Sequence, residues 1–221
     1  QRQMCIRDRL KRGKILVLDE STSALDRETE KLVLENIVNN LFGKSEIKFE
    51  EQLINFTPPF KRIKFYDLIE ETTGKDISNM DLNELIKFAK EIKVEVIETM
   101  GVGKLTDQIF SEKCEKNLIQ QTFIIDYPKE MSPLTKTHRS NPRLTERFEL
   151  FVNGKEIANA YSELNDPIDQ LERFKDQLEL SEKGDEEAMF IDNDFIRSLE
   201  YGMPPTAVSY THLTLPTNRE V

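Results

Sequence analysis

The sequence predicts an α+β fold, an antiparallel sheet flanked by helices, and three observations carry that prediction. Asn153-Gly154 sits between two runs rich in aromatic and aliphatic residues, RFELFV and KEIANAY, the strongest short signal for a β-hairpin. Several stretches of ten to twenty residues show helical spacing with their own start and stop signals. Those stretches do not alternate regularly with apolar strands, which argues against a wound parallel sheet.

Taken in order, KILVL (14–18) reads as a buried strand that ends in Asp19-Glu20. RETEKLVLENIVNNLF (27–42) places Leu32, Leu34, Ile37, Val38 and Leu41 at helical spacing before Gly43. Residues 47–56 read as one strand. Pro58-Pro59 excludes helix there, and Tyr66–Thr72 is a short helix closed by Gly74. Helices are expected over 81–92, with Asp81 and Glu84 as a capping box, and over 103–113. TFIIDYP (122–128) is a strand closed by Pro128. After the hairpin, 166–184 is a helix with Asp166 as N-cap, Pro167 in its first turn and Gly184 as stop. Asp192–Tyr201 is a last short helix, and MPPT ends the patterned region.

The chain has 221 residues with 31 basic and 41 acidic side chains, a net charge of −10. That balance argues against a dedicated binder of nucleic acid or anionic membrane. No apolar run approaches the roughly 20 residues needed to cross a bilayer. Cys5 and Cys114 offer neither a disulfide framework nor a metal knuckle, so a reducing, cytoplasmic compartment is expected. No repeat of about 20–50 residues is present.

Two constellations carry chemistry. The first is LVLDESTSALD (16–26), an apolar strand ending in adjacent carboxylates, the arrangement with which a phosphate-transferring ATPase holds Mg²⁺ and polarises water. This string resembles the Walker B and D-loop segment of ABC-transporter ATPases, which implies Asp19 as metal residue and Glu20 as base. No GxxxxGK[ST] phosphate loop accompanies it, so it is expected not to hydrolyse ATP by itself.

The second is the hairpin. Pairing outward from Asn153-Gly154 sets Phe151 against Glu156 and, in a regular ladder, Glu149 against Ala158. Alternation puts Glu149, Phe151 and Glu156 on one face, where two like charges call for a cation, and Mg²⁺ with nucleotide phosphates is the natural one. Asn159, Tyr161 and Glu163 fall on the opposite face unless one β-bulge lies between Glu156 and Asn159. Such a bulge is expected, with Ala158 and Ala160 leaving room for a ligand. Read from the residues alone, a solvated acidic hairpin stays open as the alternative.

FELFVNGKEIANAYSELNDPIDQLERF, together with TPPFKRIKFYDLIEETTG, TFIIDYPKEMSPLTKTHRSNPRLTERF and GDEEAMFIDNDFIRSLEYGMPPT, resembles the catalytic domain of class II lysyl-tRNA synthetases over about residues 41–206. The resemblance implies a six-stranded antiparallel sheet flanked by helices and an ATP-dependent ligase that joins lysine to tRNA(Lys). It implies Glu149 and Glu156 as the Mg²⁺–ATP carboxylates and Asn159, Tyr161 and Glu163 as the lysine pocket. Mg²⁺ is the implied cofactor, ATP a substrate, and lysine and tRNA the partners. The family's motif 2 and motif 3 arginines have no counterpart here, so no complete catalytic set is expected and a truncated, inactive fragment is. The family is dimeric through motif 1, which also has no counterpart, so no dimer carries over.

The ends, MCIRDR (4–9) and VSYTHLTLPTNREV (208–221), resemble translated adapter sequence. The expected organisation is an ABC-like piece over 1–40, a partial synthetase domain over 41–206 and an unstructured tail over 207–221. The rival functions are an ABC-transporter ATPase fragment, a paralogue that lysylates protein instead of tRNA, and a non-catalytic interaction protein.

Overall fold

The structure, a computed structural model, describes residues 35–49, 51–97, 99–182 and 191–211. Asp19 and Glu20, and with them the ABC-like string, lie outside the described residues. So does the first part of the 27–42 helix; its described part is α1, Asn36–Phe42.

Residues 47–56 are not one strand. They fold back as β1 (Glu46–Phe49) and β2 (Gln52–Asn55), paired antiparallel with Phe49 opposite Gln52. Doubling back lets Ile54 reach a buried position while Glu51 stays exposed outside the ladder.

β3 (Lys61–Lys64) leads directly into α2 (Phe65–Thr73), which buries Phe65, Leu68 and Ile69. Gly74 closes α2 at φ 77°, donating its N–H to the Glu70 carbonyl at 2.8 Å. α3 (Leu82–Glu91) starts at the expected capping box: Asp81 accepts from the Glu84 N–H, and Glu84 accepts from the Asp81 N–H. α4 (Val102–Lys113) follows, and α2–α4 form the crossover from β3 to β4 (Thr122–Ile125). That crossover makes β3 and β4 parallel.

β5 (Arg147–Val152), β6 (Lys155–Ser162) and β7 (Ala207–Thr211) complete the sheet antiparallel, in the order β3-β4-β5-β6-β7. The described sheet therefore has five strands and one parallel edge, not six strands all antiparallel. The tail expected to be unstructured from 207 contributes β7, in which Val208 lies opposite Tyr161. Between β6 and β7 stand α5 (Pro167–Glu182) and α6 (Asn193–Glu200). Asp166 caps α5 by accepting from the Ile168 N–H at 2.9 Å, and Asp192 caps α6 through the Phe195 N–H.

Each face of the sheet carries its own core. On one, Phe151 and Ile124 join Phe65, Leu105, Ile109 and Phe110 beneath α2–α4. On the other, Leu150, Val152 and Phe123 pack with Ile54 and Phe60. Alternation along β5, RFELFV, sends Leu150 and Phe151 to opposite cores, which fixes its register. No helix among the described residues is long and apolar enough to cross a membrane.

Candidate functional site

The hairpin turn has Asn153 at φ 53° and Gly154 at φ 67°. Two successive left-handed residues are what a two-residue turn between twisted strands requires, and Asn-Gly adopts them at least cost. From that turn Val152 faces Lys155 and Phe151 faces Glu156, as the sequence predicts. The ladder then slips: Leu150 faces Ala158, leaving Ile157 as the extra residue. Ile157 and Ala158 both pack against the outer core around Leu150 and Phe123.

The expected bulge is therefore present, between Glu156 and Asn159. Beyond it Glu149 faces Asn159, not Ala158, and Arg147 faces Tyr161. Arg147, Glu149, Phe151, Glu156, Asn159 and Tyr161 share one face. Ala158 and Ala160 do not leave room for a ligand on this face, because the slip puts both on the opposite one. Ala158 packs in the outer core, and Ala160 is buried.

At the centre is Glu149, only 6 % exposed. Its Oε2 accepts from the Tyr127 hydroxyl at 2.7 Å. Its Oε1 accepts from the Arg147 Nη2 and, at 3.1 Å, from Asn159 Nδ2. Arg147 in turn donates through Nε to Asn159 Oδ1 at 3.3 Å, and through Nη1 to the Met131 carbonyl and Ser132 Oγ. Its guanidinium lies 4.7 Å from the centre of the Tyr127 ring. Burial pushes the Glu149 carboxyl up, the Arg147 charge and the Tyr127 hydrogen bond pull it down, and the Glu156 charge adds to the rise. Burial, and then the Glu149 charge, push the Tyr127 hydroxyl well above its ordinary value, so it stays a donor.

Glu163 follows β6 and is held by its backbone, which bridges to Thr135 and donates to the Thr206 carbonyl at 2.9 Å. Burial raises its carboxyl above the ordinary 4.5. The structure thus brings Glu149, Glu156, Asn159 and Tyr161 onto one surface, with Glu163 two residues beyond Tyr161.

Two candidate nucleophiles are tied into the fold. Ser162 Oγ donates to Glu146 Oε2, and Cys114 is buried with Sγ 4.0 Å from the Leu68 carbonyl. The basic segment 136–139 is tied down: Arg139 Nε lies 2.7 Å from Glu146, Lys136 Nζ 3.4 Å from Asn165 Oδ1, and His138 Nε2 3.7 Å from Asp126.

Among the described residues no cluster of three or more acidic, histidine or cysteine side chains could hold a metal. Glu149 and Glu156 lie close enough for the charge of one to raise the other. Two carboxylates suit Mg²⁺, which binds through one or two of them and fills its shell with water and phosphate oxygens. The sequence does not mark Arg147, Tyr127 or Ser132 as site residues. Arg147 was legible in principle, two residues before Glu149 on the same strand face. Tyr127 and Ser132 reach the site only through the tertiary packing of the 126–132 turn.

Residues 16–208 match the family described as "tRNA synthetases class II (D, K and N)". The chain belongs to this family. Similar relatives include proteins named lysine–tRNA ligase. That of Porphyromonas gingivalis is 65 % identical over 175 residues, covering 79 % of this chain and 30 % of the relative. That of Christiangramia forsetii is 63 % identical over 179 residues, 81 % of this chain and 31 % of the relative. That of Aquifex aeolicus is 51 % identical over 173 residues, 77 % and 29 %. The chain spans about 30 % of the length of the curated relatives it matches. As in other class II synthetases, helices flank a mainly antiparallel sheet here, and the family match begins at residue 16, within the ABC-like string.

Proposed function

We propose that this class II synthetase chain carries the lysine pocket and part of the Mg²⁺–ATP site of a lysine–tRNA ligase. The observation that carries the reading is the Ile157 slip, which brings Asn159 opposite Glu149 and puts both groups of implied ligands on one face. In this reading Glu149 and Glu156 hold Mg²⁺ and thereby the nucleotide. Mg²⁺, when bound, offsets triphosphate charge during activation of the amino acid.

The chain's own residues bind and orient. Glu163 receives the substrate ε-ammonium, a compact charge that pays for leaving water only against a full carboxylate. Tyr161 lines the aliphatic stem, and Asn159 fixes the amino-acid end. No enzyme nucleophile is required, in keeping with the structural roles of Ser162 and Cys114.

Residues 41–206, extended by β7, form the partial catalytic domain in this proposal, with tRNA(Lys) as the acceptor. Asp19 and Glu20 belong to a separate proposal, an ABC-type remnant, carried by their string alone. Calorimetric titration with L-lysine tests the main reading: the chain binds lysine in preference to arginine and ornithine, and Glu163→Gln abolishes that preference. Binding that ignores which amino acid is supplied refutes the lysine pocket. ATP turnover that needs no lysine would favour the ATPase reading instead.

A further inference from the structure

Arg147 is the residue of the site that neither the metal role nor the lysine role uses. It is mostly buried, with its side chain 18 % exposed, and every nitrogen of its guanidinium is engaged. Its partners are unlike one another. One edge grips Met131 and Ser132 from the turn after β4, and the other closes a triangle with Glu149 Oε1 and the Asn159 amide.

The triangle has one consistent arrangement of donors and acceptors. A guanidinium only donates and a carboxylate only accepts, whereas a primary amide does both at ends that are nearly identical in shape. Between Arg147 and Glu149, Asn159 must therefore turn its oxygen to the guanidinium and its nitrogen to the carboxylate. Without Arg147 the oxygen loses that donor, and the amide is held only through the single hydrogen bond from its nitrogen to Glu149.

We propose that Arg147 is a positioning residue for the lysine pocket: it fixes the orientation of the Asn159 amide and ties it to Glu149, so that substrate affinity depends on a side chain that need not touch the substrate. The proposal rests on the lysine reading of Asn159 and deepens it. It also makes Glu149 serve two sites at once, since the same Oε1 that accepts from Arg147 accepts from Asn159.

The test is calorimetric titration of the 221-residue chain with L-lysine in the absence of metal and nucleotide. Arg147→Met and Asn159→Ala each weaken binding about five- to tenfold, the worth of one or two oriented hydrogen bonds. The double variant binds no more weakly than either single one, because both remove the same oriented amide. Glu149→Gln also weakens lysine binding without metal, which a residue serving only as a metal ligand would not do. Arg147→Lys keeps the cation over the Tyr127 ring, melts near the parent chain and still loses affinity, since one ammonium cannot span both edges.

Parent-like affinity in Arg147→Met or Arg147→Lys overturns the proposal while leaving the lysine reading intact. So do single losses that multiply in the double variant, and so does failure of both Arg147 variants to fold, which would assign Arg147 to the fold alone. No lysine binding by the parent chain removes the lysine reading itself, and the positioning role with it.

Discussion

At the scale of single residues, two carboxylates show how environment divides identical chemistry. Glu163 is raised by burial, so in the ligand-free chain its charged form is disfavoured. A carboxyl raised in the folded state costs stability as pH rises through its folded pKa, and it holds an ammonium only when ionised. Lysine affinity is therefore expected to be flat near neutrality and to fall with acidification at a pH above the ordinary carboxylate value of 4.5. Calorimetry over a pH series checks this, and a fall that begins only below 4.5 would contradict it. By the same sign, Glu163→Gln leaves the ligand-free chain as stable or slightly more so.

Asp169 is the opposite case. Hydrogen bonds from Arg173, at 2.9 and 3.0 Å, and from Lys129, at 3.1 Å, hold its carboxyl down to about 2. Its stabilisation is fully present above the ordinary 3.8 and is lost as pH falls through about 2. Arg173 is only 3 % exposed and also anchors the Ser132 and Thr135 carbonyls. Asp169→Asn leaves that cation without a countercharge and is expected to cost about 3 kcal/mol at pH 7. Urea denaturation at pH 7 and at pH 2.5 measures it, and the difference between variant and parent shrinks at the lower pH.

At the scale of elements, the hairpin decides the site. A regular ladder would set Asn159 opposite Phe148, on the face that packs against Phe123. One extra residue on β6 moves Asn159, Tyr161 and the approach to Glu163 to the face of Glu149. Deleting Ile157 removes the extra residue without changing any of the observed pairs, so Glu149 stays opposite Asn159. The deletion variant is expected to keep lysine binding within a few-fold while losing about 1 kcal/mol of stability from the Ile157 packing. Deleting Ala160 instead shifts Tyr161 and Glu163 by one position and abolishes binding. Equal effects of the two deletions in calorimetry would refute this account of the register. Predicting the bulge needed the expectation that Asn159 joins Glu149. The slip itself has a plain physical driver, the two successive apolar residues Ile157 and Ala158 both drawn against the outer core.

At the scale of the whole molecule, the sheet places the pocket strand β6 between β5 and β7. β7 hydrogen-bonds along residues 158–162, the segment that carries Asn159 and Tyr161. Ending the chain after Thr206 would leave β6 as an open edge, with its ladder groups unpaired on that side. That truncation is expected to lower the melting temperature by about 3 °C or more, corresponding to about 1 kcal/mol in a chain of this size. It is also expected to weaken lysine binding. Scanning calorimetry of both chains checks the first effect, and unchanged melting would show that β7 adds nothing to β6.

The sequence by itself determined the α+β class, the helices α2, α3, α5 and α6 and the Asn-Gly turn. Each of these rests on near neighbours: a cap three residues from its partner, a turn dipeptide, a strand period of two. Tertiary structure decided the rest. The parallel edge between β3 and β4, the folding back of 47–56 and the recruitment of 207–211 as β7 all depend on which distant surfaces need covering. The network around Glu149 depends on it most. Tyr127 reaches the Glu149 carboxylate, and Ser132 reaches Arg147 beside it, only after β4 and β5 have paired, and no local spacing encodes a meeting that is made by packing.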